Sequence, residues 1–192
     1  TQTLECTVAN VETARRCGMQ SVNLDLIYGL PRQTVASWTR TLETVLWLRP
    51  DRLAIYNFAW LPRQVPNQRS IAEEELPAPD QKLEMFIAAH DALRAAGYEF
   101  IGMDHYALSD DALAVARRNG TLRRNFMGYT TLRGTDLLAF GTSAISDFRG
   151  MFVQNVKKLS QYNAMVARGV LPVERGLLLS DDDRLRRHVI EE

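Results

Sequence analysis

The sequence is poor in cysteine and histidine, with two of one and three of the other in 192 residues. Cys6 and Cys17 fall near opposite ends of one predicted helix, too far apart to bridge. Their spacing matches no metal-ligand pattern, so they read as small apolar helix residues and no metal ligand is assigned. Two unbridged thiols fit a reducing, cytoplasmic location. Charge of one sign is not in excess: 23 basic residues meet 23 acidic ones. That balance gives no sign of a nucleic acid or an anionic membrane as partner. No apolar run approaches the roughly 20 residues of a membrane helix. The opening Thr1-Gln2-Thr3-Leu4-Glu5 has the character of neither a signal nor a transit peptide. Also missing are a Walker loop, a Gly-x-Ser-x-Gly elbow, a His-Glu-x-x-His helix, a cysteine cluster, internal repeats and low-complexity tracts.

What is present is the pattern of an α/β protein. With 46% hydrophobic residues the chain can bury a real core. The spacing predicts a helix over 4–17 that ends at Gly18, a strand over 21–27, a helix over 35–48 that stops before Pro50, and a strand over 52–58. A long segment, 59–79, holds Pro62, Pro66, Pro77 and Pro79, and reads as an ordered loop with a short helix near 70–75. A helix over 79–96, a strand over 98–103 and a short helix near 110–119 follow. Short strands that alternate with amphipathic helices predict a parallel sheet with right-handed crossovers. Beyond it lie a predicted strand over 136–140, a hairpin of 145–148 and 151–154 around Arg149-Gly150, a helix over 156–168, an extended 172–179, and a last helix capped by Ser180. Four strands cannot close a barrel. Together with abrupt ends and no initial Met, this sets the expectation of a piece of a larger α/β barrel.

Three places stand out chemically. The first is Asp25, in the strand Ser21-Val22-Asn23-Leu24-Asp25-Leu26-Ile27. Alternation puts Val22, Leu24 and Leu26 on one face, for helices to bury, and Asn23, Asp25 and Ile27 on the other. Ile27 and Ile55 are expected to face the barrel interior. A mid-strand carboxylate is costly unless paired. It can cap backbone groups or pair an arginine, or it can serve a ligand's hydroxyls or amine. The second is Ala59, where strand gives way to loop in Tyr56-Asn57-Phe58-Ala59-Trp60. A small residue there admits a flat ligand, or merely fits a tight turn, and unaided the turn is the better reading. The third is Asp104-His105 together with the loop from Arg123 to Thr131. Neighbouring strand residues point to opposite faces, so His105 is expected to be structural. Arg123 and Arg124, with Phe126 and Tyr129, can bind carboxylates of a large ring or form an ordinary solvated loop.

These stretches resemble one family: oxygen-independent coproporphyrinogen III dehydrogenase, the anaerobic coproporphyrinogen oxidase, of the radical S-adenosylmethionine (SAM) superfamily. The resemblance rests on Val22–Pro31, Pro50-Asp51-Arg52-Leu53, Gly97-Tyr98 through Asp104-His105, Arg124-Asn125-Phe126 with Gly128-Tyr129-Thr130-Thr131, Thr135-Asp136-Leu137-Leu138, and Gly141 with Ser143-Ala144-Ile145-Ser146. The segments run in order over nearly the whole chain, which is specific where each alone is weak. The resemblance implies an α/β fold, the later portion of a partial radical SAM barrel over 1–155, with 156–192 leading into a C-terminal helical domain.

It also implies conversion of coproporphyrinogen III to protoporphyrinogen IX in haem synthesis, with S-adenosyl-L-methionine and a 4Fe–4S cluster as cofactors and an electron acceptor as partner. By position in the family, Asp25 contacts a second S-adenosylmethionine, Ala59 and Ile145 contact the one at the cluster, and Phe126 lies near the active site as the catalytic candidate. The family's cysteine triad, which precedes the stretch matching Thr1, is missing here, and cluster iron is held by such thiolates. The fragment alone is therefore expected to be inactive. Met127 stands where the family usually has Gln. A fold relative that traffics haem is the alternative, but it carries His-Asn-x-x-Tyr-Trp where this chain has Arg124-Asn125-Phe126-Met127-Gly128-Tyr129. An inactive interaction domain is the other.

Overall fold

A computed structural model describes residues 2–125, 127–132 and 134–191. The chain divides into two compact units, Thr1–Leu122 and Arg123–Glu192.

The first unit opens with α1 (Leu4–Arg16), whose N-terminus is capped by the Thr3 hydroxyl accepting the Cys6 N–H at 3.3 Å. Then come β1 (Asn23–Tyr28), α2 (Val35–Leu48), β2 (Arg52–Asn57), two 3-10 turns (Pro66–Ser70 and Glu73–Glu75), α3 (Pro79–Ala95), β3 (Tyr98–Gly102), β4 (His105–Leu108) and α4 (Ala112–Arg118). Thr34 and Ser37 form a reciprocal capping box at the start of α2. The helix stops at Arg49, in the left-handed region at φ 48°, just before Pro50.

The sheet order is β1-β2-β4-β3. As expected, β1 and β2 are parallel, with Asn23 opposite Arg52 and Tyr28 opposite Asn57. The strand near residue 100, β3, runs in the same direction as β1 and β2 but does not pair with β2. There Gly102 (φ 155°) and Met103 (φ 48°) turn the chain back, and His105–Leu108 becomes a separate strand between β2 and β3, antiparallel to both. Asp104 sits in that turn, and its carbonyl accepts the Ile55 N–H at 2.8 Å.

One face of the sheet carries Leu24, Leu26 and Tyr28 with Leu53, Ile55, Tyr106 and Leu108. It packs on Trp38, Leu42 and Val45 of α2 and Met85, Ala89 and Leu93 of α3. Trp38 is 1% exposed, and its indole N–H is satisfied by the Met85 carbonyl at 2.8 Å. Ile55 belongs to this helix-facing side, not to the barrel interior as expected. Along β2 it alternates with Ala54 and Tyr56, whose register partners are Asp25 and Ile27. Near the start of β1 and β2, buried Asp111 accepts both Oδ contacts of the Arg52 Nε at 2.9 Å, the Ser21 hydroxyl at 2.9 Å and the Leu113 N–H at 2.8 Å, so the cap of α4 is tied to the sheet.

The second unit holds the hairpin β5 (Arg123–Asn125) and β6 (Gly128–Thr130), the strands β7 (Ile145–Phe148), β8 (Met151–Asn155) and β9 (Val173–Leu178), and the helices α5 (Leu159–Ala167) and α6 (Asp181–Glu191). Strands β7, β8 and β9 form one antiparallel sheet. The β7–β8 turn is the expected Arg149-Gly150, both with positive φ (50° and 76°), the signature of a primed hairpin turn. The predicted strand over 136–140 is reduced to one bridge, Leu137 to Asp147. Side chains occupy its backbone groups instead: Ser146 Oγ accepts the Ala139 N–H, and the Asp136 carboxylate turns to cap the Arg149 N–H. The predicted helix over 156–168 begins later, at Leu159, because the Val156 N–H is held by the Pro172 carbonyl at 2.8 Å.

Candidate functional site

In the first unit the site is the face of the sheet turned away from α2 and α3. Asn23, Asp25 and Ile27 are exposed along β1, with Tyr56 beside Ile27 in register. Asn23 Nδ2 donates to Asp25 Oδ1 at 2.7 Å. The mid-strand carboxylate thus avoids a buried-charge penalty by facing outward, and a carboxylate so engaged still has room to accept further donors. The Tyr56 ring meets His105 edge-on, centroids 6.2 Å apart. Burial pushes the Tyr56 hydroxyl pKa up, and the charges of Asp25 and Asp104 add to it. Near neutrality Tyr56 is therefore a proton-bearing donor. His105 opens β4, and Asp104 lies in the turn before it.

At the carboxyl ends of β1 and β2, where open α/β sheets bind ligands, the backbone is held tightly. Gly29 has φ +79°, and a Cβ there would come within 3.0 Å of Asn57 Oδ1 and 3.3 Å of Lys82 Cε. The left-handed φ favours glycine, and a Cβ would also press on the ends of the Asn57 and Lys82 side chains. The Gln33 side chain accepts the Leu30 N–H and donates to the Ile27 carbonyl, which fixes this turn. The Arg32 N–H bonds the Glu75 carbonyl at 2.7 Å, and its guanidinium Nε bonds the Glu75 carboxylate at 3.0 Å. Just past β2, Ala59 is exposed as a small residue at the strand's end. Its carbonyl accepts Gln68 Nε2 at 2.9 Å, while Gln68 Oε1 takes the Leu61 N–H. One amide thereby clamps the chain on both sides of Trp60. Sequence reasoning missed Gln68, Gln33 and the Arg32–Glu75 pair, since nothing in spacing distinguishes a clamping glutamine from a solvated one.

In the second unit, Ile145 is half-buried at the head of β7, opposite Gln154. Phe126 lies outside the described residues. The arginines beside it line a cavity of about 640 Å³, where Arg123, Arg124, Arg149, Arg187 and His188 face Asp136 and Asp147. The Arg124 guanidinium lies over the Tyr129 ring at 5.8 Å. Arg187 pairs with Asp147 at 2.9 Å and lies over the Phe152 ring at 5.9 Å.

Among the described residues, no group of three or more His, Cys, Asp or Glu is placed to hold a metal ion. Cys6 and Cys17 are both exposed on or just beyond α1. The donors among the described residues therefore do not make a cluster site. An exposed, oriented carboxylate and a small residue at a strand's end do suit a cofactor bearing hydroxyl and ammonium groups. No helix of the described residues is long and apolar enough to cross a membrane.

No family model matches the chain. Individual proteins do. The chain is 49% identical over 191 residues to the oxygen-independent coproporphyrinogen III oxidase of Pseudomonas aeruginosa, covering 100% of this chain and 42% of that protein. It is 49% identical over 178 residues to the Escherichia coli enzyme of the same name, covering 93% and 39%. The solved E. coli coproporphyrinogen III oxidase, a radical SAM enzyme, superposes with a TM-score of 0.90 at 47% identity, over 100% of this chain and 44% of that one. The chain thus spans about two fifths of the length of these relatives. Along its whole length it is similar in sequence to one stretch of the oxygen-independent coproporphyrinogen III oxidases, and it has the fold of the matching part of a radical SAM enzyme.

Proposed function

We propose that this chain serves in the oxidative decarboxylation of coproporphyrinogen III to protoporphyrinogen IX, as the later part of a radical SAM barrel in a longer enzyme of haem synthesis. The observation that carries the reading is near-half identity, sustained from end to end, to oxidases of that name. In this reading residues 1–155 belong to the barrel and 156–192 lead toward a C-terminal helical domain. The second reading, haem trafficking, has less support, because Arg124-Asn125 stands where its His-Asn motif would begin.

The residues take the following roles. Asp25, oriented by Asn23, accepts hydrogen bonds from hydroxyl or ammonium groups of an S-adenosyl-L-methionine. Ala59 leaves room for the cofactor beside a backbone that Gln68 keeps from shifting. Ile145 offers an apolar contact, and Phe126, by its place in the family sequence, is the catalytic candidate. The bound cofactor, with a 4Fe–4S cluster supplied by residues other than these, provides hydrogen-abstracting chemistry. The decarboxylation releases carbon dioxide, leaves a vinyl group, and needs an external electron acceptor.

A chimera tests this. The matched stretch of the P. aeruginosa oxidase is replaced by this chain, the reaction is run anaerobically, and the vinyl product is then oxidised chemically and read as protoporphyrin fluorescence. We expect activity to survive the exchange. Asp25→Asn in the chimera is expected to lower turnover about tenfold or more, the order of one charge-assisted hydrogen bond, with little change in melting temperature. A folded, cluster-loaded chimera that makes no vinyl product would defeat the reading.

A further inference from the structure

The cavity of the second unit has an unbalanced charge inventory. Its two carboxylates are already engaged. Asp147 is buried at 9% exposure and holds the Arg187 guanidinium at 2.9 Å. Asp136 accepts the Arg149 backbone N–H at 3.2 Å. On the basic side, neither the Arg124 nor the Arg149 guanidinium has a carboxylate partner among the described residues, although both line the same space. With Asp147 matched by Arg187, these two guanidinium groups outnumber the one remaining lining carboxylate, Asp136, and such an excess of positive charge favours an anionic guest.

The backbone and the aromatic rings hold these groups in place. Arg124 lies over the Tyr129 ring, across the β5–β6 hairpin where the two residues are register partners. Stacking of this kind restrains the plane of a guanidinium and leaves its rim of N–H donors free to grip a carboxylate in bidentate fashion. Arg149 is the first turn residue of the β7–β8 hairpin, and the Asp136 cap on its N–H ties that turn to the cavity wall. Arg187, held by Asp147 and lying over the Phe152 ring, forms part of the cavity wall with its charge balanced.

We propose that this cavity is a polycarboxylate-binding site, in which Arg124 and Arg149 pair with separate carboxylates of one ligand. Cations contributed by two different hairpins suit carboxylates spread over one scaffold better than a single compact anion. A volume of about 640 Å³ lies within the range of small-molecule sites. The inference rests on the reading above, and within it the ligand is the ring that carries four propionates. The cavity would then hold propionates other than the one that reacts, which orients the ring without chemistry.

The test is a fluorescence titration of the 192-residue chain with coproporphyrin III, the stable oxidised form of the ring. Its tetramethyl ester serves as an uncharged control, and propane-1,2,3-tricarboxylate and pyrophosphate serve as competitors. Arg124→Ala and Arg149→Ala are each expected to weaken coproporphyrin binding about tenfold. Arg124→Lys should retain part of the affinity, and Arg16→Ala, on α1, should change nothing. Thermal melts confirm that each variant is folded. Unchanged affinity in both alanine variants, or an ester that binds as tightly as the free acid, overturns the proposal. So does pyrophosphate that binds through the same arginines in preference to every carboxylate. If the tricarboxylate binds in an arginine-dependent way and coproporphyrin does not, the polycarboxylate site stands and the porphyrinogen reading falls.

Discussion

Of the buried aliphatic and aromatic side chains among the described residues, proline aside, Val156 and Leu179 lie in Arg123–Glu192, and every other one lies in Thr1–Leu122. The first unit owns a contiguous core in which Trp38, Leu53, Ile55, Met85 and Leu93 are all within 1% of complete burial. In the second, every residue of β9 is exposed, as are Leu185, Val189 and Ile190 of α6. What holds that unit is directional: backbone ladders, the buried amide of Asn155 on the Gly141 carbonyl at 2.9 Å, and the Asp147–Arg187 pair. The difference separates two jobs. Burial makes the first unit a scaffold that can present Asp25 and Ala59 at fixed positions. The second unit spends its side chains on charge, which suits a surface that must meet an anionic ligand.

The largest expected effect follows from the scaffold. Trp38→Ala empties a site that is 1% exposed and removes the hydrogen bond from its indole N–H to the Met85 carbonyl. Phe- or Trp-to-Ala changes in cores cost about 3–5 kcal/mol. We expect the first unit to melt well below its normal temperature, with hydrogen exchange faster throughout β1, β2 and β4. Amides of β8 should keep their protection. If β8 loses protection in parallel, the two units unfold as one and the contrast drawn here is lost.

Next in size is Asp111→Ala. It strips three donors of one buried acceptor and leaves the partly exposed Arg52 guanidinium without its carboxylate. Breaking such a pair costs about 3 kcal/mol when both partners are buried, and less here because Arg52 reaches solvent. A loss of about 2 kcal/mol by urea unfolding, with α4 exchanging first, is the expected result. Asp111→Asn, which can still accept the Leu113 N–H, should lose less.

Much of the scaffold could be read from residue order. Helical spacing with the stops at Gly18 and Pro50 places α1 and α2, the Ser180 cap places α6, and strand alternation places Asp25 opposite the helix face. Two kinds of feature escaped. Strand direction did, because a four-residue strand such as His105–Leu108 carries no mark of antiparallel pairing until Gly102 and Met103 are seen to reverse the chain. Clamps formed between distant residues did as well. Gln68 reaches back to Ala59 and Asp136 reaches forward to Arg149, and each looks in sequence like any polar loop residue. Ile55 shows the cost of a one-residue error in face assignment: the period of two turns an interior guess into a core residue.

The smallest expected effect is an alkaline one, and it too divides the units. Burial, before any neighbouring charge, pushes the hydroxyls of Tyr98 and Tyr106 up to about 12. For Tyr98, Arg49 and Arg15 oppose the rise and Asp51 adds to it; for Tyr106, Asp104 and Tyr28 add to it. Burial also raises Tyr28 and Tyr56. All the tyrosines so shifted lie in the first unit. An unfolded tyrosine ionises near 10, so between about pH 10 and about pH 12 the unfolded chain has released protons that the native chain still holds. Stability contributed by these groups is whole below pH 10 and is lost as pH climbs toward 12. Urea unfolding of the first unit should therefore be flat from neutrality to about pH 9.5 and fall beyond it. Tyr106→Phe forfeits the 3.0 Å hydrogen bond to His90 Nδ1, so it should begin about 1 kcal/mol less stable at neutral pH. It should then lose less on the alkaline side, because one ionising group is gone. An alkaline slope that is the same in wild type and in Tyr106→Phe, or a midpoint set by β8 amides and not by β2 amides, would place the weakness outside the buried core and remove the distinction between the two units.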